Sequence, residues 1–187
     1  MAQALWDPTV DGDSLIAEFL TGYYAAAAPY VQAYMDAMLQ GIQATSYYMH
    51  ESFEVDAPFL RPVLLLRSAG AFVNASKAVT RADERFQRRV QQAEMPVMYA
   101  ILFRWDEVRT WAAHASFNWP YNASMRPQFD EFKRRYAAIG MSALDEAGHS
   151  IDWMEAELFP TLARDGQNLA ADDLGRRVAY EVHWPVH

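Results

Sequence analysis

Residues 11–42 read DGDSLIAEFLTGYYAAAAPYVQAYMDAMLQGI, and the spacing of their apolar side chains decides the fold class. Leu15, Ile16, Phe19, Leu20 and Tyr23 recur at helical intervals, with Asp11 or Asp13 placed to cap the first turn. Gly22 reads as the stop of that helix. A second helix is expected to start around Ala26 to Pro29, because proline is tolerated in a first turn. Its stripe of Tyr30, Val31, Tyr34, Met35, Met38, Leu39 and Ile42 is wide enough to face a core.

Outward from this pair the same period continues. Residues 46–59 form a connector holding Tyr47, Tyr48, Met49, His50, Glu51, Glu54 and Asp56 and closing at Pro58. Pro62 suits the first turn of a third helix, with Leu65, Leu66, Ala69, Phe72, Val73 and Val79 facing inward. Thr80, with Asp83 three residues on, signals the N-cap of a long fourth helix from about Arg81 to Ala113. Phe86, Val90, Val97, Ile101, Leu102, Trp105 and Val108 supply its buried face, and Pro96 inside it is expected to kink it. After an aromatic loop at 114–124, a fifth helix spans about Pro127 to Ile139 and stops at Gly140. Ser150 caps a sixth, with Ile151, Trp153, Met154 and Leu158 inward, that ends near Pro160. The expectation is an all-α bundle of about six helices in one domain, 1–164. The tail, 165–187, carries a strand pattern in Val178, Tyr180, Val182 and Trp184, although a lone strand has no partner in a helical bundle.

Composition narrows the function classes. The chain has 187 residues, long enough for a single well-cored domain, and is 52% hydrophobic and 14% aromatic, which argues against disorder over most of it. Its net charge of −8, from 24 acids and 16 bases, favours solubility and argues against nucleic acid or an anionic membrane as partner. No apolar run is long enough for a transmembrane helix, and no basic-then-apolar leader marks a signal peptide. With no cysteine, disulfides, thiolate chemistry and cysteine-ligated zinc are excluded together. The basic cluster Arg81, Arg85, Arg88 and Arg89 is interleaved with Asp83 and Glu84 and reads as a solvated helix face with i,i+4 pairs.

Motifs that could carry chemistry are sparse. Glu146-Ala147-Gly148-His149 matches the Glu-x-x-His of di-iron bundles, but such a centre needs two copies and two further glutamates. One copy beside a glycine gives no metal site, and no cofactor is expected. The acidic pairs Asp106-Glu107, Asp145-Glu146 and Glu155 with Glu157 lack the context of a glycosidase carboxyl pair, so no catalytic residue is assigned. His114 ends an apolar helix and suits a C-terminal cation. Tyr48, His50, Trp111, Trp119 and Tyr121 remain as candidates for sugar stacking or for an interface, with packing or interface favoured.

One family resemblance spans roughly residues 2–160 and is most specific in the first forty. It rests on Trp6-Asp7-Pro8, an acid at Asp11, Glu18-Phe19-Leu20, Gly22-Tyr23-Tyr24 and Ala27-Ala28-Pro29-Tyr30. It continues in the leucine-rich helix after Pro62, in Arg88-Arg89-Val90, and in Pro96 with Tyr99 just after. In these features the chain resembles the helical segment that follows the catalytic barrel in bacterial glycoside-hydrolase-like proteins, relatives of α-glucuronidases and β-N-acetylhexosaminidases. Ala25 and Ala26 depart from the family's Gly-Pro, so a softer bend between the first two helices is expected. The resemblance implies that Trp6, Asp7, Pro8, Tyr23, Tyr24 and Pro29 are structural anchors, with Trp6 packing on Phe19 or Tyr23. It also places the end of a barrel close to Met1. The function implied is an accessory domain that buttresses a carbohydrate-cleaving barrel, in cis or in trans, while the catalytic acids belong to that barrel. The alternative is a stand-alone binding or assembly protein whose aromatic surface pairs copies of the chain.

Overall fold

The computed structural model describes residues 11–45, 47–48, 55–145 and 147–164. These residues form an all-α bundle: α1 (Gly12–Tyr24), α2 (Ala28–Thr45), α3 (Pro62–Ala78), α4 (Glu84–Phe103), α5 (Trp105–His114), α6 (Arg126–Ala138) and α7 (Ile151–Ala163), with a 3-10 turn at Ala25–Ala27. The strand pattern of 178–184 and the anchor Trp6-Asp7-Pro8 lie outside the described residues.

The centre is α3. Its sequence holds only two charged side chains, Arg67 and Lys77, and it buries Leu64, Leu65, Leu66, Ala69, Phe72 and Ala75. It touches α2 on one side, α4 and α5 on the other, and the 3-10 turn at its end. Beyond α4 lies α6, and α7 packs on α6. The core fills with Phe59, Phe72, Phe129, Phe132, Met98 and Ile101, each almost wholly removed from water. Burying a side chain of this size contributes roughly 1.5–3 kcal/mol. Gly41, in the middle of α2, allows the close approach of α2 to α3: a Cβ there would stand 3.0 Å from Leu64 Cδ2 and 3.3 Å from the Phe59 carbonyl.

Several helix ends follow the expected chemistry. Asp11 caps α1, its carboxylate accepting from the Asp13 and Ser14 amides at 3.3 and 3.2 Å. Pro62 occupies the first turn of α3. Gly140, with φ 67°, follows α6, and Ser150 Oγ accepts from the Trp153 amide at the start of α7.

Other ends differ from the sequence reading. Gly22 does not stop α1, which continues to Tyr24. The bend between α1 and α2 is not softened by alanine: Ala25 adopts φ 50°, ψ −125°. Burial of Leu20, Ala27, Ala28 and Val31 forces the turn on a residue that disfavours it. α4 begins at Glu84, because Asp83 rather than Thr80 is the N-cap, accepting from the Arg85 amide at 2.8 Å. The Thr80 hydroxyl instead donates to the Ser76 carbonyl at the end of α3.

The long fourth helix is two helices. α4 runs through exposed Pro96, and the interruption falls at Arg104, with φ −113° and ψ 28°. There the guanidinium donates to the Leu60 carbonyl, to the Val55 carbonyl at 3.2 Å and to Glu107. One arginine thus ties the connector to the junction of α4 and α5. At the other end of the chain, α7 continues through Pro160 to Ala163.

Candidate functional site

Three features could carry function: the aromatic loop after α5, the acids of α4–α7, and the outer surface of α1–α2. The loop is built on Trp105, which opens α5 and is buried. Trp119 meets it edge-to-face at 4.9 Å between centroids, and Tyr121 lies 6.1 Å from it. Trp119 and Tyr121 are 5.4 Å apart, and the Trp119 indole donates to the Asn122 carbonyl. The structure therefore brings two of the aromatic candidates together, but around a buried indole that occupies them in packing. The Tyr121 hydroxyl is buried without a hydrogen-bond partner, and burial pushes its phenol up. Trp111 belongs to a separate pair, with Phe117 at 5.8 Å. Tyr48 is exposed in the connector, and His50 lies outside the described residues.

Of the acids weighed as glycosidase pairs, Asp106, Glu107 and Glu155 are joined to cations. Asp106 receives Arg164 at 3.1 Å, and Glu107 receives Arg104. Glu155 receives Lys133 at 2.6 Å and Arg126 at 3.1 Å, while Glu131 takes both Arg134 and Arg135. Asp145 pairs with His149 Nδ1 at 2.6 Å, and the imidazole stacks on Trp153 at 4.0 Å. That contact uses the histidine of the Glu-x-x-His match; Glu146 lies outside the described residues.

Among the described residues, the carboxyls whose acidity the fold displaces move down. The Ser14 hydroxyl lowers Asp11, Arg134 lowers Glu131, His149 lowers Asp145 and Lys133 lowers Glu155. A glycosidase general acid needs the opposite shift, upward toward the working pH. Among the described residues no cluster of three His, Cys, Asp or Glu side chains is placed to hold a metal.

One ionic pair went unseen in the sequence. Glu94 of α4 is buried and meets Arg135 of α6 at 2.7 Å; the same guanidinium reaches Glu131 and the Gln91 carbonyl. Glu94 stands where the apolar stripe of α4 would put a hydrophobe, and no local signal pairs it with a residue 41 positions away.

The basic cluster also departs from a simple solvated face. Arg85 pairs with Asp83 and lies over Phe86, but Arg89 leaves that face. Its guanidinium covers the Tyr23 ring at 3.9 Å and donates to the Tyr23 carbonyl at 2.9 Å. Tyr23 and Tyr24 meet edge-to-face at 5.0 Å, and burial raises the Tyr24 phenol. Pro29 sits exposed in the first turn of α2.

The outer surface of α1–α2 is the third feature. Eight large hydrophobic side chains are exposed among the described residues, and six of them fall between Ile16 and Tyr48. From Asp11 to Phe19 only Leu15 is even partly covered, so α1 joins the core from Leu20 onward. No described helix is long and apolar enough to cross a membrane. No family model matches the chain, and neither a curated protein nor a solved structure matches it.

Proposed function

We propose that the chain is a helical accessory module that acts through a docking face: it buttresses a carbohydrate-cleaving, glycoside-hydrolase-like barrel that is not part of these 187 residues. The observation that carries this reading is the exposure of Ile16, Phe19, Met35 and Leu39 on the first two helices. They stand in the stretch where the family resemblance is strongest and where that resemblance sets the barrel next in the chain. Surface hydrophobes scattered singly are ordinary, whereas exposed apolar side chains that gather into one patch mark interaction sites, and six of the eight among the described residues fall between Ile16 and Tyr48. Glu94, Asp106 and Glu155, in contrast, serve as struts between helices, which supports leaving the chemistry to the partner. Trp119 and Tyr121, turned onto Trp105, support a packing role over a sugar platform.

The test mixes the purified chain with a purified glycoside-hydrolase-like barrel of the family it resembles and reads light scattering and turnover of a panel of aryl glycosides. A complex whose turnover exceeds that of the barrel alone, with no turnover from the isolated chain, is expected. Turnover by the isolated chain, lost when one of its own acids is replaced, overturns the reading. A stable dimer indifferent to the barrel selects the assembly protein instead.

A further inference from the structure

We infer that the partner surface received by α1–α2 is cationic: apolar side chains flanked by lysine and arginine. This rests on the docking-face reading above and specifies the chemistry of its occupant. Charge is the deciding observation. No lysine or arginine occurs before Arg61. The charged side chains that α1, its cap and α2 themselves carry are therefore Asp11, Asp13, Glu18 and Asp36, all four exposed, and Arg89 of α4 reaches only the far end of α1, at Tyr23.

Elsewhere in the molecule the acids that bridge from one helix to another, Glu94, Asp106 and Glu155, do so through cations. Among the described residues, none of the four acids of α1–α2 meets one. Asp11 caps its own helix and Asp36 accepts from the Gln32 amide group at 2.7 Å. Asp13 and Glu18 flank the projecting turns that carry Ile16, which is 41% exposed, and Phe19, which is 59% exposed. On α2, Asp36 stands beside Met35 and one turn before Leu39 ends, at 40% and 55% exposure.

The same charge decides against other occupants. A twofold pair of copies meeting through this face would set acid against acid, which costs affinity and slows encounter. A phosphate backbone or an anionic bilayer is repelled for the same reason. A protein surface with a basic rim satisfies both the exposed apolar side chains and the acids around them.

The probes are two synthetic amphipathic helical peptides with identical leucine spacing, one flanked by lysine and the other by glutamate. Each is titrated into the full chain and followed by amide NMR. The lysine peptide is expected to shift amides of residues 11–45 and to lose about tenfold in affinity between low and physiological salt, since exposed charges are screened. The glutamate peptide is expected not to bind. The variant D13K/E18K/D36K should reverse this preference, with its circular dichroism unchanged because all three positions are exposed.

A second variant, F19Q/L39Q, separates the two levels of the argument. Undiminished binding of the lysine peptide to it overturns the docking-face reading itself. Lost binding there, with equal affinity of the parent chain for both peptides, overturns the cationic partner alone. Shifts confined to the acids of α5–α7, or Phe19 found protected from solvent in the free chain, overturn the inference as well.

Discussion

The bundle has two flanks around α3 and α4, and they are held by different forces. On the α6–α7 side, Phe129, Phe132, Tyr136, Met154, Leu158 and Leu162 are buried, and the rim is laced by Arg135 to Glu94, Arg126 and Lys133 to Glu155, and Arg164 to Asp106. On the α1–α2 side the buried residues are Leu20, Ala27, Ala28 and Val31, with Tyr34 packed on Phe72, and among the described residues no ion pair joins these helices to the rest. Arg89, stacked on Tyr23, is a cation that reaches across from α4. On the proposed docking reading, this difference separates a surface closed by the fold from one that receives a partner. The α6–α7 flank pairs Glu94, Asp106 and Glu155 with cations across helices and leaves Asp152, Glu157 and Phe159 exposed; the α1–α2 flank presents acids and apolar side chains without any such pair among the described residues.

The comparison breaks hardest at Arg135. Arg135→Ala leaves the Glu94 carboxylate buried without its partner, and removing one member of a buried pair costs about 3–5 kcal/mol. Urea unfolding followed by circular dichroism should show that loss. Replacing both residues by leucine should recover most of it, because the desolvation penalty disappears with the charges. A cost below about 1 kcal/mol for Arg135→Ala would mean that water reaches Glu94 and that the ionic rim is ordinary surface.

Acid should separate the flanks next. The Glu131 carboxyl is held below its ordinary value by Arg134 and Arg135, and that of Glu155 by Lys133 and Arg126. A group whose folded pKa is depressed contributes stability that is present above its unfolded value and is lost as pH falls through the folded one. Amide exchange protection in α6 and α7 is therefore expected to fall once pH drops below about 4.3, the ordinary glutamate value. Because these are partly exposed pairs, high salt should blunt the effect. Protection that stays level to lower pH would remove Glu131 and Glu155 from the account of this flank.

The helical class, the edges of α3 and α6, the start of α7 and most of the core were legible in the sequence, since apolar spacing and caps are local signals; the end of α7 was not, because the helix runs through Pro160 to Ala163. Asp11, Pro62, Gly140 and Ser150 mark ends because each acts within one turn of itself. What was illegible is long-range. Nothing near Arg104 announces a helix break, because its cause is the pair of carbonyls at Val55 and Leu60, which only tertiary packing brings within reach. Glu94 and Arg135 look like surface charges until α4 and α6 are packed. Of the candidate site, Trp119 and Tyr121 were named among five candidates, but the Trp105 indole that both rings meet was read only as core. The role of the α1–α2 surface was legible only in part, as a wide apolar stripe, since a stripe does not say which of its residues stay uncovered.

Ala25 tests whether the α1–α2 flank carries strain that a partner or the core must hold. At φ 50°, ψ −125° an L side chain is disfavoured by about 1–3 kcal/mol, while glycine adopts that region freely. Glycine also loses more chain entropy on folding, by about 0.4–1 kcal/mol. Ala25→Gly should therefore stabilise the protein by about 1 kcal/mol, raising Tm by roughly 2–4 °C in a chain of this size. A lowered Tm would show that the turn in solution is the softer one that alanine favours.

The smallest effect is expected where the docking argument is strongest. Leu39 is 55% exposed on α2, one turn beyond Met35, and its side chain is not part of the buried core. Glutamine has nearly the same helix propensity as leucine, so Leu39→Gln removes apolar surface without disturbing the helix. Surface substitutions away from structural features usually stay within about 0.5 kcal/mol. Unfolding of the Leu39→Gln variant should fall within that range, whereas Leu65→Ala, in the buried centre of α3, should cost about 2–5 kcal/mol. A conserved stability with improved solubility is what a free docking face predicts, because the residue is kept for a contact the isolated chain does not make. A loss above about 1 kcal/mol would mean instead that Leu39 is covered in solution by this chain itself, and the two flanks would then differ only in how they are closed.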